Sequence, residues 1–315
     1  MNTYLPILVR NGRSLMNVKK NRMWALSTFC PVVSSIALAI ALPGLAIAQV
    51  PIGTDRPDFV ESSSTVGAGA IQVEGSFAFD TETTGVGNID TWATPFLFRV
   101  GIANSWELRL ESDWFTQYRV TEQTLSNSTS ELNSRQITTN GISDFSVGVK
   151  WSFLPSDESS RPAMAALVHA DLPIGSAELR GFGIRPSFRV VAEWSFHIPW
   201  IDGDYLDQGD FRGDWGIAIM PGFQLDRDEF SRYPSGVLGL VISRGLFSPR
   251  FRVFSEMAFE QITKDEYGGD IGLIQTGGTF LLNDWWQIDS AVSFGLTDNA
   301  PNFGMTFGLS GLFLR

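Results

Sequence analysis

Histidine is the first residue type to search for chemistry, because it is the side chain most often used as a general base. The sequence has only two. His169 and Asp171 share one face of a predicted strand, an arrangement that could serve a Ser-His-Asp triad. No serine stands in a matching motif, so we expect a hydrogen-bonded histidine and do not expect an enzyme. His197, beside Pro199 and Trp200, has the surroundings of a residue that anchors a chain at a membrane interface.

An acidic run from Asp202 to Asp210 is the second candidate for chemistry, with Asp204 and Asp207 inside it. Closely spaced carboxylates are typical of calcium loops, but Leu206 occupies the place of the third ligand. We favour a solvated acidic turn. The sequence also lacks a phosphate-binding glycine loop and a Cys/His cluster of the metal-binding type. We therefore expect neither a metal nor a cofactor.

A third constellation consists of charged or titratable residues that alternate with apolar ones along the predicted strands. One interpretation is a pore lining that selects solutes by charge. The other is a ladder of ion pairs that fills a narrow lumen, because buried charges need partners. The sequence leaves both open. The predicted lumen-lining residues are Glu74, Arg99, Glu107, Arg109, Glu111, Asp113, Asp144, Lys150, His169, Asp171, Arg189, Glu193, Arg252, Glu256 and Asp289.

The stretch from Asp144 to Phe153 indicates which elements position these charges. Side chains alternate across a strand, so one face of this stretch carries Lys150 with small and polar residues. The other face is wholly apolar and must meet either a second sheet or lipid. The apolar face consists of Phe145, Val147, Val149, Trp151 and Phe153.

The same design recurs about twelve times between Ile71 and Phe313, in segments of about ten residues, the length of a strand that crosses a bilayer. In one of them Trp106 and Trp114 lie at the two ends of an apolar face, and the opposite face carries four charged residues. Trp at both ends of an apolar face is typical of a wall between lipid and an aqueous lumen. We therefore predict an all-β fold, a transmembrane antiparallel β-barrel of about twelve strands.

The first 48 residues have the composition of a secretory signal peptide. Five basic residues precede an apolar run that ends in Ala46-Ile47-Ala48, and the one cysteine, Cys30, would leave with this leader. The mature chain would then carry 18 basic and 34 acidic residues (23 minus 5, against 34), a net charge of about −16. Such an acidic chain is not expected to bind nucleic acid.

Residues 49–68 form a polar segment without strand alternation, and residues 69–315 are the predicted barrel domain. We predict that the segment lies in the periplasm and can fold back into the lumen as a plug, through Asp55, Arg56, Asp58 and Glu61. An even strand count places short turns in the periplasm and a long polar loop, 116–140, outside. The connection 197–213 does not fit the rule that periplasmic connections are short, since it is long yet falls on the periplasmic side.

Several short motifs occur in a fixed order along the mature chain: Thr54-Asp55-Arg56-Pro57-Asp58-Phe59, Gly141-Ile142-Ser143-Asp144-Phe145, Leu172-Pro173-Ile174-Gly175, Gln287-Ile288-Asp289 and Gly295-Leu296-Thr297-Asp298-Asn299-Ala300-Pro301. With these motifs the chain resembles an outer-membrane barrel family named for a meta-pathway of phenol degradation, whose members are also called transporters. The resemblance implies a barrel of twelve or so strands that passes small compounds, with aromatic compounds as candidates. The C-terminal Phe313-Leu314-Arg315 departs from the common aromatic ending of such barrels.

Taken together, the patterns predict a channel or passive transporter for small molecules in a bacterial outer membrane. A structural or adhesive barrel with a closed lumen is the alternative, and a barrel-borne hydrolase is a more distant one. The expected partners are membrane lipid, a small-molecule solute and the outer-membrane insertion machinery.

Overall fold

The computed structural model describes residues 52–85, 87–125, 132–155, 161–196, 198, 215–248 and 250–313. These residues form fifteen strand segments and one 3-10 helix, Asp265–Tyr267. None of the helices in these ranges is long and apolar enough to cross a membrane. The strands are β1 (Ile71–Thr84), β2 (Gly87–Ala93), β3 (Phe96–Ala103), β4 (Trp106–Ser112), β5 (Phe115–Leu125), β6 (Leu132–Ile142), β7 (Phe145–Leu154), β8 (Ala163–Leu172), β9 (Arg185–Phe196), β10 (Trp215–Arg227), β11 (Arg232–Gly245), β12 (Phe251–Ile262), β13 (Ile271–Asn283), β14 (Trp286–Gly295) and β15 (Phe303–Phe313).

The segments form one closed antiparallel sheet. Every neighbouring pair is antiparallel, and the last strand returns to the first, with Ile71 opposite Phe313 and Thr81 opposite Phe303. β1 pairs with β3 along its first half and with β2 along its second half. The segments β2 and β3, β4 and β5, and β6 and β7 are therefore halves of three barrel strands. The predicted fold, a barrel of about twelve strands, is confirmed.

The outer face of the barrel is apolar, as lipid requires. In β7 the outward side chains of Val147 and Trp151 are 41% and 43% exposed, while Lys150 on the opposite face is fully buried. Aromatic rings cluster near the ends of the strands, where Trp106 stacks on Trp151 with centroids 5.3 Å apart. Aromatic girdles of this kind lie at the two membrane interfaces of outer-membrane barrels.

Three adjacent barrel strands break at one level. The breaks fall at 94–95, 113–114 and 143–144, and Thr94 N donates to the carbonyl oxygens of Asp113 and Phe115 across them. Pro95 has no N–H to give the ladder. Trp114 has φ 48°, which turns the chain out of the strand conformation. Each strand therefore has a lower half within the barrel wall and an upper half that projects beyond it.

The upper halves correct one prediction. The stretch 116–140 is not a long loop, because β5 and β6 fill most of it and pair from Phe115 opposite Ile142 to Leu125 opposite Leu132. Its strand character was missed because both faces of this hairpin are polar. A hairpin that stands above the membrane meets water on both sides, so it needs no apolar face.

Several other predictions concern chain outside the described residues. These are the signal peptide at 1–48, most of the 197–213 connection including His197, and the acidic run from Asp202 to Asp210. The short turns at 103–105 and 283–285 join consecutive strands, β3 to β4 and β13 to β14.

A charge on the outer wall should destabilise the barrel. We expect Val149→Arg, near the middle of β7, to lower the free energy of unfolding by about 2–4 kcal/mol, because the guanidinium would face lipid. Gln136→Arg in the exposed hairpin strand β6, opposite Thr121, is the control and should change it by less than about 0.5 kcal/mol. Urea unfolding in liposomes measures both. Equal effects would mean that β7 does not face lipid at Val149.

Candidate functional site: a plugged lumen

Residues 52–66 lie inside the barrel and are called the plug here. The plug enters at the end of the barrel that holds the short turns, where Ile52 N donates to the carbonyl oxygen of Asp284 at 2.9 Å. It leaves at the same end, where Thr65 Oγ1 donates to the carbonyl oxygen of Asn104 at 2.7 Å. Between these points it reaches the opposite wall. The prediction of a segment that folds back into the lumen therefore matches this geometry, whereas its role as a plug of transport stays a proposal.

Carboxylates on the barrel wall hold the backbone of the plug. Glu74 Oε2 on β1 accepts hydrogen bonds from the backbone N–H groups of Asp55 and Arg56, both at 3.0 Å. Glu256 on β12, far round the barrel, accepts from Phe59 N at 2.7 Å and Val60 N at 3.1 Å. These ionisable groups satisfy backbone donors that have no sheet partner, because the plug is not a strand.

Asp55 carries the central charge of the plug. Its Oδ2 lies 2.6 Å from Arg109 Nη1, 2.7 Å from Lys150 Nζ and 3.4 Å from Arg99 Nη1. All four side chains are at most 2% exposed. The other oxygen, Oδ1, accepts from Ser62 N and Ser62 Oγ within the plug. Asp55 therefore joins three cations of the wall to the plug's own fold.

Burial raises the pKa of Asp55, but attraction by Arg99, Lys150 and Arg109 outweighs it and holds the pKa well below its usual value. The carboxylate is thus charged at neutral pH. A buried ion pair of this kind is costly to break, because removal of one partner leaves the other charge buried without compensation.

Glu61 makes a second set of charged contacts from the plug. Its Oε2 lies 2.7 Å from Arg109 Nη2, and its Oε1 lies 3.3 Å from Arg189 Nη1 on β9. Glu107 on β4 completes the cluster at 2.9 Å from Arg99 Nε and accepts from Val66 N at 3.0 Å. The ion-pair interpretation of the charged set therefore describes the lower lumen.

Apolar packing holds the tip of the plug. Val60 is 5% exposed and packs with Leu167, Val191 and Met220, which point inward from β8, β9 and β10. Gly239 faces this contact, since a Cβ atom there would lie 2.5 Å from Val60 Cγ2. Sequence reasoning missed this patch. The only available signal was that apolar residues occupy both faces of β8, which a pattern of period two cannot assign to one side.

Asp58 has the opposite surroundings to Asp55. Burial and the nearby carboxylates of Glu256 and Asp289 raise the pKa of Asp58 well above its usual value, against a smaller attraction from Arg252. Two acidic residues three positions apart in one segment thus meet contrary electrostatic environments.

Most of the predicted lumen-lining residues lie inside the barrel. Glu193 accepts from Ser63 N and Oγ of the plug at 3.2 and 2.8 Å. Asp289 is 6% exposed, and neither carboxylate oxygen has a hydrogen-bond partner among the described residues. Arg252 is on the inward face but is exposed, and its Nη1 donates to Ser243 Oγ at 2.8 Å.

Asp144 has a different neighbourhood from the lower lumen. It lies at a strand break just before β7, and its oxygens accept from Gly175 N and Gly181 N, both at 2.9 Å. Arg185 bridges it to Asp171, at 3.3 Å and 3.5 Å. Both acids fasten the β8–β9 connection across the top of β7.

His169 does not form a triad with Asp171. Its Nδ1 lies 3.3 Å from Glu111 Oε1, and Gly148 on the neighbouring strand packs directly against its ring. Neither ring nitrogen has a hydrogen-bond partner among the described residues, so no serine hydroxyl there is positioned for activation. No group of three or more His, Cys, Asp or Glu residues in the described ranges could hold a metal ion.

A cavity of about 160 Å³ lies above the plug. The plug contributes Arg56, Pro57 and Phe59 to its floor. Its walls come from inward residues of several strands, among them Asp80 on β1 and Glu260 on β12. The plug therefore fills only the lower part of the lumen.

An outer wall suited to lipid, a closed sheet and a polar lumen define an outer-membrane β-barrel. The chain belongs to the family described as "Putative MetA-pathway of phenol degradation", which it matches over residues 54–313. The predicted family resemblance is thus confirmed.

Solved structures resemble the chain to different degrees. An outer membrane channel from Pseudomonas putida F1 superposes with a TM-score of 0.52 at 13% identity, over 83% of this chain and 100% of that one. The transport unit of the autotransporter AIDA-I from Escherichia coli has a TM-score of 0.44 at 10% identity, over 91% and 100%. Among curated proteins none matches significantly. The first likeness supports the fold, and the protein lies in the bacterial outer membrane.

The contrary environments of Asp55 and Asp58 give a matched test. Asp55→Asn should weaken docking of the plug by about 3–5 kcal/mol, because three buried cations lose their shared anion. Hydrogen exchange at the Phe59 and Val60 amides should then accelerate by about a hundred-fold or more.

Asp58→Asn is the control within the same segment. It removes a carboxylate that faces other carboxylates, so exchange at the same two amides should stay unchanged or become slower. Equal acceleration in both variants would show that the Asp55 ion pairs do not hold the plug.

Proposed function

We propose that this protein is a passive channel of the outer membrane that admits small molecules, with the plug as its gate. Small aromatic or hydrophobic compounds are the proposed solute class. The family to which the chain belongs is named for phenol degradation, and the Pseudomonas putida relative is described as an outer membrane channel. Both names are in keeping with this proposal.

The observation that carries the proposal is how the lumen is filled. Barrels of about eight strands can fill their interior with their own side chains, whereas wider barrels enclose a cavity or channel. This wider barrel is filled by a separate segment that makes no strand pairing, and a cavity remains above it. A segment that belongs to no strand pair can leave without opening the sheet.

The nature of the attachment also favours a gate. Several contacts run from wall carboxylates to backbone N–H groups of the plug, including Glu74 to Asp55 and Glu256 to Phe59. Water can replace such hydrogen bonds when the segment moves, and the net contribution of each bond to a charged acceptor is about 1.5–3 kcal/mol. The apolar contact of Val60 is confined to one patch. A permanently closed structural barrel would gain more from apolar filling.

A reversible cross-link tests the gate. A Cβ atom at Gly239 would lie 2.5 Å from Val60 Cγ2, so cysteines at positions 60 and 239 are within reach of a disulfide. We expect oxidised Val60→Cys/Gly239→Cys protein to lower solute flux into liposomes by about ten-fold or more, and a reductant to restore it.

The two single-cysteine variants are the controls and should respond to neither oxidant nor reductant. Flux that is equal in the oxidised and reduced double variant would contradict gating by the plug. An absence of flux in every form, the reduced wild type included, would favour the alternative of a closed structural or adhesive barrel.

A further inference from the structure

Two arginines lie directly opposite each other on the lipid side of the β10–β11 hairpin. Arg227 on β10 is the register partner of Arg232 on β11, and both are exposed. Arg227 has the same parity as Phe223 and Leu225, which are 53% and 40% exposed on the outer wall, so the pair faces outward. Like charges directly opposite in a sheet are destabilising. The hairpin would therefore gain from an anion that both guanidinium groups share.

Both guanidinium groups reach the same dipeptide of the β8–β9 connection. Arg232 Nη1 donates to the carbonyl oxygen of Ile184 at 3.0 Å. Arg227 Nη1 would lie 3.1 Å from a Cβ atom at Gly183. Gly183 has φ 72°, so a side chain at this position would be strained and would also crowd Arg227. The glycine thus leaves room for Arg227 beside Arg232.

The acids of the hairpin leave this pair able to bind another anion. Asp226 has the opposite parity, and its Oδ1 lies 3.6 Å from Arg185 Nε. Asp228 attracts Arg227, but its Oδ1 accepts two backbone N–H groups of the turn at 2.7 and 2.6 Å. Glu229 is exposed on the turn and makes no ion pair among the described residues. Since a guanidinium has five N–H donors, donors remain free on both arginines.

The surroundings of the pair favour a lipid over a free anion. The pair lies at the end of the barrel opposite to the short turns, which in outer-membrane barrels is the exterior end. Leu225 follows about 7 Å below Arg227 along the strand, and the ring of Phe223 lies next to that of Phe188, with centroids 6.0 Å apart. An apolar wall beneath two cations matches acyl chains beneath an anionic headgroup. Arginine suits phosphate in particular, because its planar fork can bind two oxygens at once.

We propose that Arg227 and Arg232 bind a phosphate group of a phosphorylated glycolipid in the outer leaflet, with lipid A as its minimal form. Its acyl chains would lie along Leu225 and Phe223. Inorganic phosphate would meet the same arginines but gain nothing from the apolar wall. The inference is independent of the channel proposal, since a closed barrel would bind the same lipid.

Native mass spectrometry of the full-length protein in a non-ionic detergent tests the site. Lipid A with its phosphates removed should show a Kd about ten-fold higher than lipid A. Phosphatidylglycerol, which has a single phosphate charge, should also bind more weakly than lipid A. Equal Kd values for the two forms of lipid A would overturn the inference. Tighter binding of phosphatidylglycerol would overturn the assignment to a glycolipid.

Competition distinguishes the lipid from a free anion. Inorganic phosphate should displace bound lipid A at least about a hundred-fold more weakly than unlabelled lipid A does, because it lacks acyl chains. Competition by inorganic phosphate at a similar concentration would overturn the lipid assignment and would favour a free-anion site.

Neutral replacements locate the site. We expect Arg227→Gln and Arg232→Gln each to raise the Kd for lipid A by about five-fold and to leave that for the dephosphorylated form unchanged. Arg250→Gln, exposed on the β11–β12 turn at the other end of the barrel, is the matched control and should change neither Kd.

Stability without lipid separates binding from a structural role. In lipid A-free detergent the urea midpoint of either variant should equal or exceed that of the wild type, because one of two opposed like charges is gone. A lower midpoint would show that the arginines stabilise the barrel by themselves and would overturn the inference. A folded double variant, Arg227→Gln with Arg232→Gln, that binds lipid A with wild-type affinity would overturn it as well.

Discussion

The ion pairs of Asp55 hold the interior of this barrel in a single arrangement. Arg99, Arg109 and Lys150 project inward from β3, β4 and β7, which are neighbours in the sheet, so three positive charges meet at one level of the lumen. Like charges so close together in a buried space repel one another strongly. The carboxylate of Asp55 offsets them only when the plug is inside the barrel, so the wall and the plug depend on each other.

Such a cluster contributes more to specificity than to net stability. Moving four charged groups out of water costs free energy that their attraction only partly returns, and a well-packed apolar core could be as stable. What the charges provide is one register for the plug, since any shift of Asp55 breaks the 2.7 Å ion pair of Lys150 and one of the close ion pairs of Arg109. Water can solvate the same charged groups if the plug moves, whereas it would not solvate apolar side chains exposed in the same way. This combination suits a segment that must be held firmly and also be released.

The sequence predicted well which side chains of a strand face lipid and which face the lumen, because lipid and lumen require opposite chemistry at alternate residues. Lys150 and Val147 therefore appear on the expected faces. The segment around Asp55 was expected in the periplasm, with the ability to fold back into the lumen, because a polar stretch rich in acids precedes a wall rich in arginines. Its partners were not predictable, since Lys150 is 95 residues away in the sequence and pairing across a lumen leaves no periodic signal.

Other features were hidden for different physical reasons. The hairpin of β5 and β6 carries mostly polar residues on both faces, so the alternation that marks the other strands is absent. The inward patch around Leu167 is apolar because Val60 packs on it, and it makes β8 apolar on both faces. The break at Trp114 depends on a positive φ that no residue type in that stretch announces. In each case the cause lies in a neighbour distant along the chain.

The single-channel conductance of the barrel without residues 49–61 tests the central claim most directly. The comparison is with the full chain, in planar bilayers and with preparations whose heat-modifiable migration shows a folded barrel. The account predicts a larger and steadier conductance for the truncated barrel, because the lower lumen would be filled by water. An unchanged conductance would contradict it, since the plug would then not obstruct the path.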